Sequence, residues 1–320
     1  MIKRVLLGVA VGDAFGTGIE GQDKDWIHKN VDFTKYVSAR TSKYSQGYKL
    51  GDYSDDTSDT LAMFKLLKNL KDINSEKLLE EIRAEYEKSK QERGGIPRAG
   101  YGSISWYFEG NKTMDEIQDF QRKKVYPGNA PVMRSIPIGM LVPDNKIHSV
   151  CILNADLTHP HPKARIASIL IARAAQHLLI LKLPASELIS KCSHFVLGMD
   201  SEFDQYLEKV DRLGSELASF DDYCLLVGPQ PIKSFMTGQM IIGLNSDAMR
   251  TAGAALYLLK FCKTPLEALT KSIQIGGDVD TLASIVLGIV CGTCSDSDLP
   301  GWLFDQLEHV QELTDFADHY

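Results

Sequence analysis

Residues 165–182, RIASILIARAAQHLLILK, form the apolar stretch that decides the fold class of this chain. Apolar side chains recur at helical spacing and occupy nearly every face, which is typical of a helix in the middle of a helical domain. Residues 61–72, LAMFKLLKNLKD, repeat the helical period with a polar stripe that includes Lys65 and Lys68. Similar patterns predict further helices over 76–92, 114–122, 185–196, 202–212, 247–262, 265–273 and 280–291. Because alternating strand patterns are scarce, the sequence predicts an all-α fold rather than an α/β one.

The composition is that of an ordinary globular protein. The chain has 320 residues, of which 44% are hydrophobic and 24% charged, with a net charge of −7. The hydrophobic share argues against long disorder, no apolar run reaches the roughly 18 residues of a membrane helix, and the acidic balance argues against a nucleic-acid-binding surface. The stretch MIKRVLLGVAVGDAFG predicts a core helix rather than a signal peptide, because Asp13 interrupts it and no cleavage site of small residues follows. We therefore expect a cytoplasmic protein that binds neither nucleic acid nor membrane.

Six cysteines are spread along the chain without the spacing of a disulfide framework. Cys291 and Cys294 have CxxC spacing, but the pair lacks the second pair or the histidines that a zinc site needs. A redox pair would sit at a helix N-terminus, whereas this pair closes an apolar helical run. The cysteines are therefore interpreted as buried or incidental, in a reducing compartment.

No linker rich in proline, glycine or serine divides the chain, so residues 1–320 are predicted to form one domain. Glycines and prolines gather instead in three loops, GGIPRAGYG (94–102), VYPGNAPVMRSIPIG (125–139) and THPHP (158–162). Loops of this kind, held between helices, are where a helical domain places a ligand site.

Two acidic clusters each precede a helical pattern: GDYSDDTSD (51–59) and GGDVDT (276–281). Helix capping explains one acid at each helix start, yet crowded carboxylates repel one another unless a cation lies between them. Together the clusters supply enough carboxylate and hydroxyl oxygens for two Mg²⁺ or Mn²⁺ ions. An EF-hand does not fit because Met63 occupies its twelfth position, and a haloacid-dehalogenase loop does not fit because Leu282 occupies its fifth. Capping of two separate helices remains the alternative.

Five motifs, in order along the chain, resemble those of the ADP-ribosylglycohydrolases, the family of dinitrogenase reductase-activating glycohydrolase and of the ADP-ribosylarginine and ADP-ribosylserine hydrolases. They are GDAFGTGIE (12–20), SDDT (54–57), GNAPVMR (128–134), LTHP (157–160) and GGDVDT (276–281). The resemblance covers nearly the whole chain. It implies a compact orthogonal all-α bundle around a cleft with two Mg²⁺ ions. It also implies an activity that removes ADP-ribose from modified protein side chains, of which arginine is the commonest in the family.

The resemblance also implies roles for individual residues. The metal ligands would be Ser54, Asp55, Asp56, Asp278, Asp280 and Thr281. The residues around the ADP-ribose would be Gly128, Asn129, Ala130 and Pro131 at the diphosphate, His159 near the nucleotide, and Gly100, Tyr101 and Gly102 in a glycine–tyrosine loop. Glu20 would be a mobile glutamate beside the metals. The catalytic residues would be Glu20, Asp55 and Asp280, with the choice of the carboxylate that takes a proton from the attacking water left open.

The chain departs from the family in three places. Ser54 stands where threonine is usual, a change that keeps a hydroxyl ligand. Ala130 and Pro131 stand where glycines are common, and Pro131 has no N–H to offer a diphosphate. Residues 21–50 match nothing in the family and form either a lid over the target or a solvated loop. Among aromatic residues, Tyr101 is the candidate for contact with adenine or ribose, whereas the tryptophans, Trp106 among them, are expected to pack in the core.

Two alternative functions remain open. The same site would serve ADP-ribose on serine or threonine, or an O-acyl ADP-ribose. A protein of a different class, a non-catalytic ADP-ribose binder like the crystallin-like family members, is the second alternative. Glu20 and the oxygen donors at every expected ligand position favour catalysis. The expected partners are an ADP-ribosylated protein as substrate and ADP-ribose as product, and the chain is expected to be a monomer.

Overall fold

The computed structural model describes residues 1–40, 47–234, 238–294 and 299–320, and in these ranges the chain is mostly α-helical, as predicted. The first nine helices are α1 Ile2–Thr17, α2 Lys24–Asn30, α3 Asp55–Leu67, α4 Ser75–Glu92, α5 Gly102–Phe108, α6 Met114–Arg122, α7 Ala130–Met133, α8 Ile136–Leu141 and α9 Asp144–Thr158. The following ones are α10 Pro162–Ala175, α11 Leu188–Ser193, α12 Ser201–Asp211, α13 Phe220–Val227, α14 Ala248–Phe261, α15 Pro265–Gln274, α16 Val279–Thr293, α17 Trp302–Asp305 and α18 Val310–Asp318. A short antiparallel strand pair joins β1 Ile232–Lys233 to β2 Met240–Ile241. Within the described ranges, no helix has both the length and the apolar character needed to cross a membrane.

Helix α10 lies at the centre of the bundle, as the sequence predicts. Its residues 166–175 are all buried, and the helix contacts α7, α8, α9 and α14. Full burial of each Leu or Ile side chain contributes about 1.5–3 kcal/mol, so this helix anchors the core. The predicted helix over 165–182 differs at its end, because the α-helix stops at Ala175 and Gln176–Ile180 forms a π-helical turn.

Helices α1 and α16 pack antiparallel with their backbones in close approach. Gly16 of α1 faces Asp280 at the start of α16, and Gly8 faces Cys291 near its end. A Cβ atom on Gly16 would lie 2.5 Å from the backbone nitrogen of Asp280, a distance that no side chain tolerates. The glycines of α1 therefore allow a contact that places the end of α1 against the start of α16.

Three sequence predictions about helices are wrong in detail. Helix α3 begins at Asp55 rather than Leu61, so the first acidic cluster lies partly inside the helix. The predicted loop over 125–139 contains α7 and α8, each with a proline in its first turn, where proline is compatible with a helix. Several helices have no predicted counterpart: α2, α5, α9, α13, α17 and α18. In α9 the polar residues hide the apolar face.

Candidate active site

One cavity of about 450 Å³ is formed where the end of α1 meets the starts of α3 and α16. The predicted site residues that line it are Glu20, Asp55, Asp56, Gly100, Tyr101, Gly102, Gly128, Asn129, Ala130, His159, Asp278, Asp280 and Thr281. The other two, Ser54 and Pro131, are buried outside this lining. The fold therefore gathers side chains from distant parts of the chain around one space.

The first acidic cluster is fixed by the start of α3. Ser54 is the N-cap, and its Oγ accepts a hydrogen bond from the backbone N–H of Asp56 at 3.2 Å. The same hydroxyl lies 3.1 Å from Oδ2 of Asp56, to which it donates. Asp55 and Asp56 therefore occupy the first turn, where the positive end of the helix dipole favours carboxylates.

The glycine–tyrosine loop covers Asp55. The backbone N–H of Asp55 donates to the carbonyl of Ala99 at 3.1 Å. Gly100 has a φ of +100°, and a Cβ there would lie 2.6 Å from the carboxyl carbon of Asp55, so only glycine fits. The buried ring of Tyr101 packs edge-on against Tyr86, with the ring centroids 5.0 Å apart. This loop thus holds Asp55 in place while Tyr101 lines the cavity.

The second acidic cluster follows a tight turn before α16. The N–H of Gly277 donates to the carbonyl of Gln22 at 2.8 Å, and the N–H of Asp278 donates to the carbonyl of Leu244 at 2.9 Å. Gly277 has a φ of +84° and lies against the backbone of Leu244, which leaves no space for a Cβ. Backbone contacts on both sides therefore fix the turn that carries Asp278.

The two acidic clusters meet across the cavity. Oγ1 of Thr281 donates to Oδ2 of Asp56 at 3.2 Å, a contact that joins the start of α16 to the start of α3. Carboxylate oxygens form two close sets, and within each set all the oxygens lie within 4.8 Å of one another. The first set comes from Asp13, Asp56 and Asp280, and the second from Glu20, Asp278 and Asp280. Asp280 belongs to both sets, so the two sets are neighbours, and even without Asp13 the oxygens of Asp56, Asp278 and Asp280 are close enough to suit two adjacent cations.

Burial and mutual repulsion disfavour the charged form of these carboxyls. Burial first, and neighbouring carboxylates second, raise the pKa of Asp55, Asp56 and Asp280 well above the usual range. Burial and the nearby Asp278 raise the pKa of Glu20 to about 8. Oδ1 of Asp56 is buried and has no hydrogen-bond partner among the residues that the structure describes. An all-oxygen donor set that includes such an atom fits a hard divalent cation such as Mg²⁺ or Mn²⁺.

Glu20 lies on the turn after α1, with a side chain that is 17% exposed. Nη2 of Arg40 is 4.0 Å from Oε2 of Glu20, and Nε of Arg40 donates to the carbonyl of Thr17 at 2.7 Å. This part of segment 21–50 therefore packs against the turn that carries Glu20 instead of extending into solvent. Residues 41–46, which belong to the predicted lid or loop, lie outside the described residues.

A buried ion pair lines the cavity. Nη1 of Arg134, a residue that is 1% exposed, lies 2.9 Å from Oδ2 of Asp59. The guanidinium also donates to Asn154 and, at 3.2 Å, to Oγ1 of Thr158. That hydroxyl is 2.8 Å from Nδ1 of His159, and burial lowers the pKa of His159 well below its usual range, which keeps the ring neutral. Arg134 belongs to the motif GNAPVMR and Asp59 to the first acidic cluster, but no pattern in the sequence indicates that they pair.

The predicted diphosphate loop connects the acidic clusters to His159. A Cβ on Gly128 would lie 2.7 Å from Nε2 of His159, so the loop backbone passes close to that ring. The N–H of Gly128 donates to Oε1 of Gln121 at 3.1 Å and is thus already engaged. Nδ2 of Asn129 donates to Oδ2 of Asp278 at 2.7 Å. Asn129 therefore orients a predicted metal ligand.

An aromatic wall that the sequence analysis missed lines the same cavity. Trp106, expected in the core, is half-buried in the cavity wall, with its ring centroid 5.6 Å from that of Phe120. Nζ of Lys124 lies 4.5 Å from the Phe120 ring centroid. The only available signal is the aromatic run at 106–108 shortly after the glycine–tyrosine loop, a pattern that core packing explains equally well.

Comparison with known proteins identifies a family and a solved structure that resemble this chain. A family model described as ADP-ribosylglycohydrolase matches residues 2–320. Among solved structures, a chain of an ADP-ribosylglycohydrolase-related protein complex superposes with a TM-score of 0.68 at 19% sequence identity, over 99% of this chain and 95% of the other. At that identity the likeness shows a shared fold. No curated protein matches the chain.

Proposed function

The chain belongs to the ADP-ribosylglycohydrolase family, and on that premise we propose that it is a divalent-metal-dependent hydrolase acting on ADP-ribosylated protein side chains, with arginine as the favoured attachment. The observation that carries the proposal is the meeting of two acidic clusters in one cavity, joined by the 3.2 Å hydrogen bond from Thr281 to Asp56. Two unrelated helix caps would have no reason to converge. Residues 1–320 act in this proposal as one domain and as a monomer.

The donor atoms support two Mg²⁺ ions, with Mn²⁺ as the alternative. The residues that would hold them are Ser54, Asp55, Asp56, Asp278, Asp280 and Thr281. When bound, such ions supply positive charge that orients ribose hydroxyls and acidifies water. The buried Oδ1 of Asp56 supports this use, because no described residue pairs with it and an unpaired carboxylate oxygen destabilises the fold.

Glu20, Asp55 and Asp280 are the proposed catalytic residues. Hydrolysis adds the hydroxyl of water to the anomeric carbon and returns the proton to the departing side chain, through an oxocarbenium-like transition state that nearby carboxylates stabilise. Glu20 is suited to take and release that proton, because its carboxylate oxygen lies within 4.8 Å of those of Asp278 and Asp280, beside the proposed cations.

The cavity offers a place for each part of ADP-ribose. Trp106 and the 42% exposed Phe120 present aromatic faces on which adenine would stack. Lys124 supplies positive charge for the diphosphate beside Phe120. The neutral His159 and Tyr101 line the same cavity as this wall and the acidic clusters.

The family resemblance, in which arginine is the commonest attachment, supports arginine as the target. The charge of the cavity does not select among the attachments. Its acidic lining residues are Glu20, Asp55, Asp56, Asp59, Asp278 and Asp280, and its basic ones are Lys124 and Arg134. The two proposed divalent cations would balance this excess of negative charge. Attachment to serine or threonine, or an O-acyl ADP-ribose, is the second candidate, since the same acidic clusters would serve either bond.

The test is release of ADP-ribose from defined peptides. Peptides carrying ADP-ribose on arginine, serine or threonine are incubated with the protein and Mg²⁺ or EDTA, and mass spectrometry follows peptide and free ADP-ribose. We expect release from the arginine peptide that EDTA abolishes. Release from another linkage alone would redirect the proposal to the second candidate. Binding of ADP-ribose without release from any substrate would refute catalysis in favour of a binding protein.

A further inference from the structure

Asp13 is a fully buried carboxylate in α1 whose side chain points at the start of α3. Its Oδ1 accepts hydrogen bonds from the backbone N–H of Ser54 at 2.9 Å and from Oγ1 of Thr17 at 2.8 Å, a hydroxyl that the Asp13 backbone carbonyl shares at the same distance. Its Oδ2 accepts from the backbone N–H of Thr57 at 2.8 Å and from Oγ1 of Thr57 at 2.6 Å. Four short hydrogen bonds thus use the acceptor positions of both oxygens.

These bonds complete the capping of α3 from a different helix. The first N–H groups of a helix have no partner within the helix itself. Here the N–H groups of Ser54 and Thr57 donate to Asp13, that of Asp55 to the carbonyl of Ala99, and that of Asp56 to Oγ of Ser54. The first turn of α3 is therefore held rigidly, with Asp13 accepting two of its four N–H groups.

A second contact of α1, through Gly16, is with the start of α16, which carries the other acidic cluster. Three residues after Asp13, Gly16 packs on α16 so closely that a Cβ would lie 2.8 Å from Cβ of Asp280. Within about one helical turn, α1 thus contacts the start of α3 through a carboxylate and the start of α16 through a glycine. The rigid spacing of these two residues along α1 determines how far apart the two clusters lie.

We propose that Asp13 is a positioning residue that sets the separation of the two halves of the cation site and is not itself a ligand. This inference rests on the proposed function, because it presumes that divalent cations bind between the clusters. Oxygens of Asp13, Asp56 and Asp280 lie within 4.8 Å of one another, which would also suit a ligand. The four hydrogen bonds decide against that role, since a cation would have to displace at least one of them.

Calorimetric titration with Mn²⁺ and Mg²⁺ tests the proposal on the full chain. Asp13→Asn places an amide N–H₂ against two of the four donors and loosens the turn. Because residues that orient ligands typically change metal affinity by 10–100-fold, we expect a loss of that order with two ions still bound at saturation. Thr57→Val, which removes one side-chain bond and keeps the N–H, should lose about 2–5-fold, a fraction of that range. Asp200→Asn is the matched control, since Asp200 caps α12, which lies outside the cavity lining, and asparagine caps equally well.

Each outcome bears on a different statement. Loss of one ion from the stoichiometry in Asp13→Asn, with Thr57→Val unchanged, would show that Asp13 is a ligand and overturn the proposal. Wild-type affinity in both variants would overturn it as well. Thr57→Val keeps the test decisive if Asp13→Asn does not fold. If the wild-type chain binds no divalent cation, the proposed function fails and this inference fails with it. If the wild type binds and both variants bind equally well, only this inference fails.

Discussion

Replacing Arg134 by methionine should destabilise the protein severely. The ion pair between Arg134 and Asp59 is buried, with the two side chains 1% and 2% exposed. Removing one partner of such a pair typically costs about 3–5 kcal/mol, because the remaining charge is left without compensation. The lost hydrogen bonds to Asn154 and Thr158 belong to the same network and do not add in full. We therefore expect the free energy of unfolding to fall by about 3–5 kcal/mol.

Urea denaturation of the metal-free protein measures this loss. The matched control is Arg165→Met, since Arg165 forms a comparable bidentate pair with Asp156 at 2.6 Å, with side chains 34% and 35% exposed. That partly exposed surface pair should contribute about 1 kcal/mol. Adding Asp59→Asn to Arg134→Met removes the stranded carboxylate and should recover about 1–3 kcal/mol. Equal losses for Arg134→Met and Arg165→Met, or no recovery in the double variant, would refute the argument.

Three further predictions concern the cation site. Gly16→Ala should force α1 and α16 apart and weaken Mn²⁺ binding measured by calorimetry. Gly8→Ala, at the far end of the same contact, is its control: it should lower the free energy of unfolding by about 1–3 kcal/mol and leave the cation affinity unchanged. Asp55→Ala should abolish cation binding and ADP-ribose release with an unchanged circular dichroism spectrum, and near-normal turnover would contradict the role given to Asp55. In EDTA, the free energy of unfolding should fall as the pH rises from about 4.5 to about 8. Over this range Glu20 loses its proton in the unfolded chain but keeps it in the folded protein, where its pKa is about 8. Saturating Mg²⁺ should flatten that slope in urea titrations at pH 5 and pH 8.

The central helices and the acidic clusters could be predicted from the sequence because their signals are local. The helical spacing of apolar residues in α10 can be read directly in the sequence, and so can the crowded carboxylates at two helix starts. The predicted start of α3 lies too late because the polar residues at 55–60 resemble a loop. Asp13, about 40 residues earlier in the chain, accepts two N–H groups at the start of this helix, a contact that no local pattern shows.

The supporting contacts of the site could not be predicted, because they join residues that are distant in sequence. Arg134 carries no pattern that identifies Asp59 as its partner. Trp106 belongs to an aromatic run that is equally typical of a core, and only the fold places it in the cavity wall. Likewise, a glycine at position 16 shows the absence of a side chain but not which backbone lies against it.

The contact between α1 and α16 also governs the order of events during synthesis. About 260 residues separate the end of α1 from the start of α16. At roughly 5–20 residues per second, a ribosome needs on the order of 10–50 s to make the partner that covers α1. Throughout that interval the nascent chain carries the apolar residues of α1 without the partner that covers them, which makes them a target for chaperones and for neighbouring nascent chains. Yield in cells should therefore depend on translation speed and chaperone supply more than the stability of the finished fold would suggest.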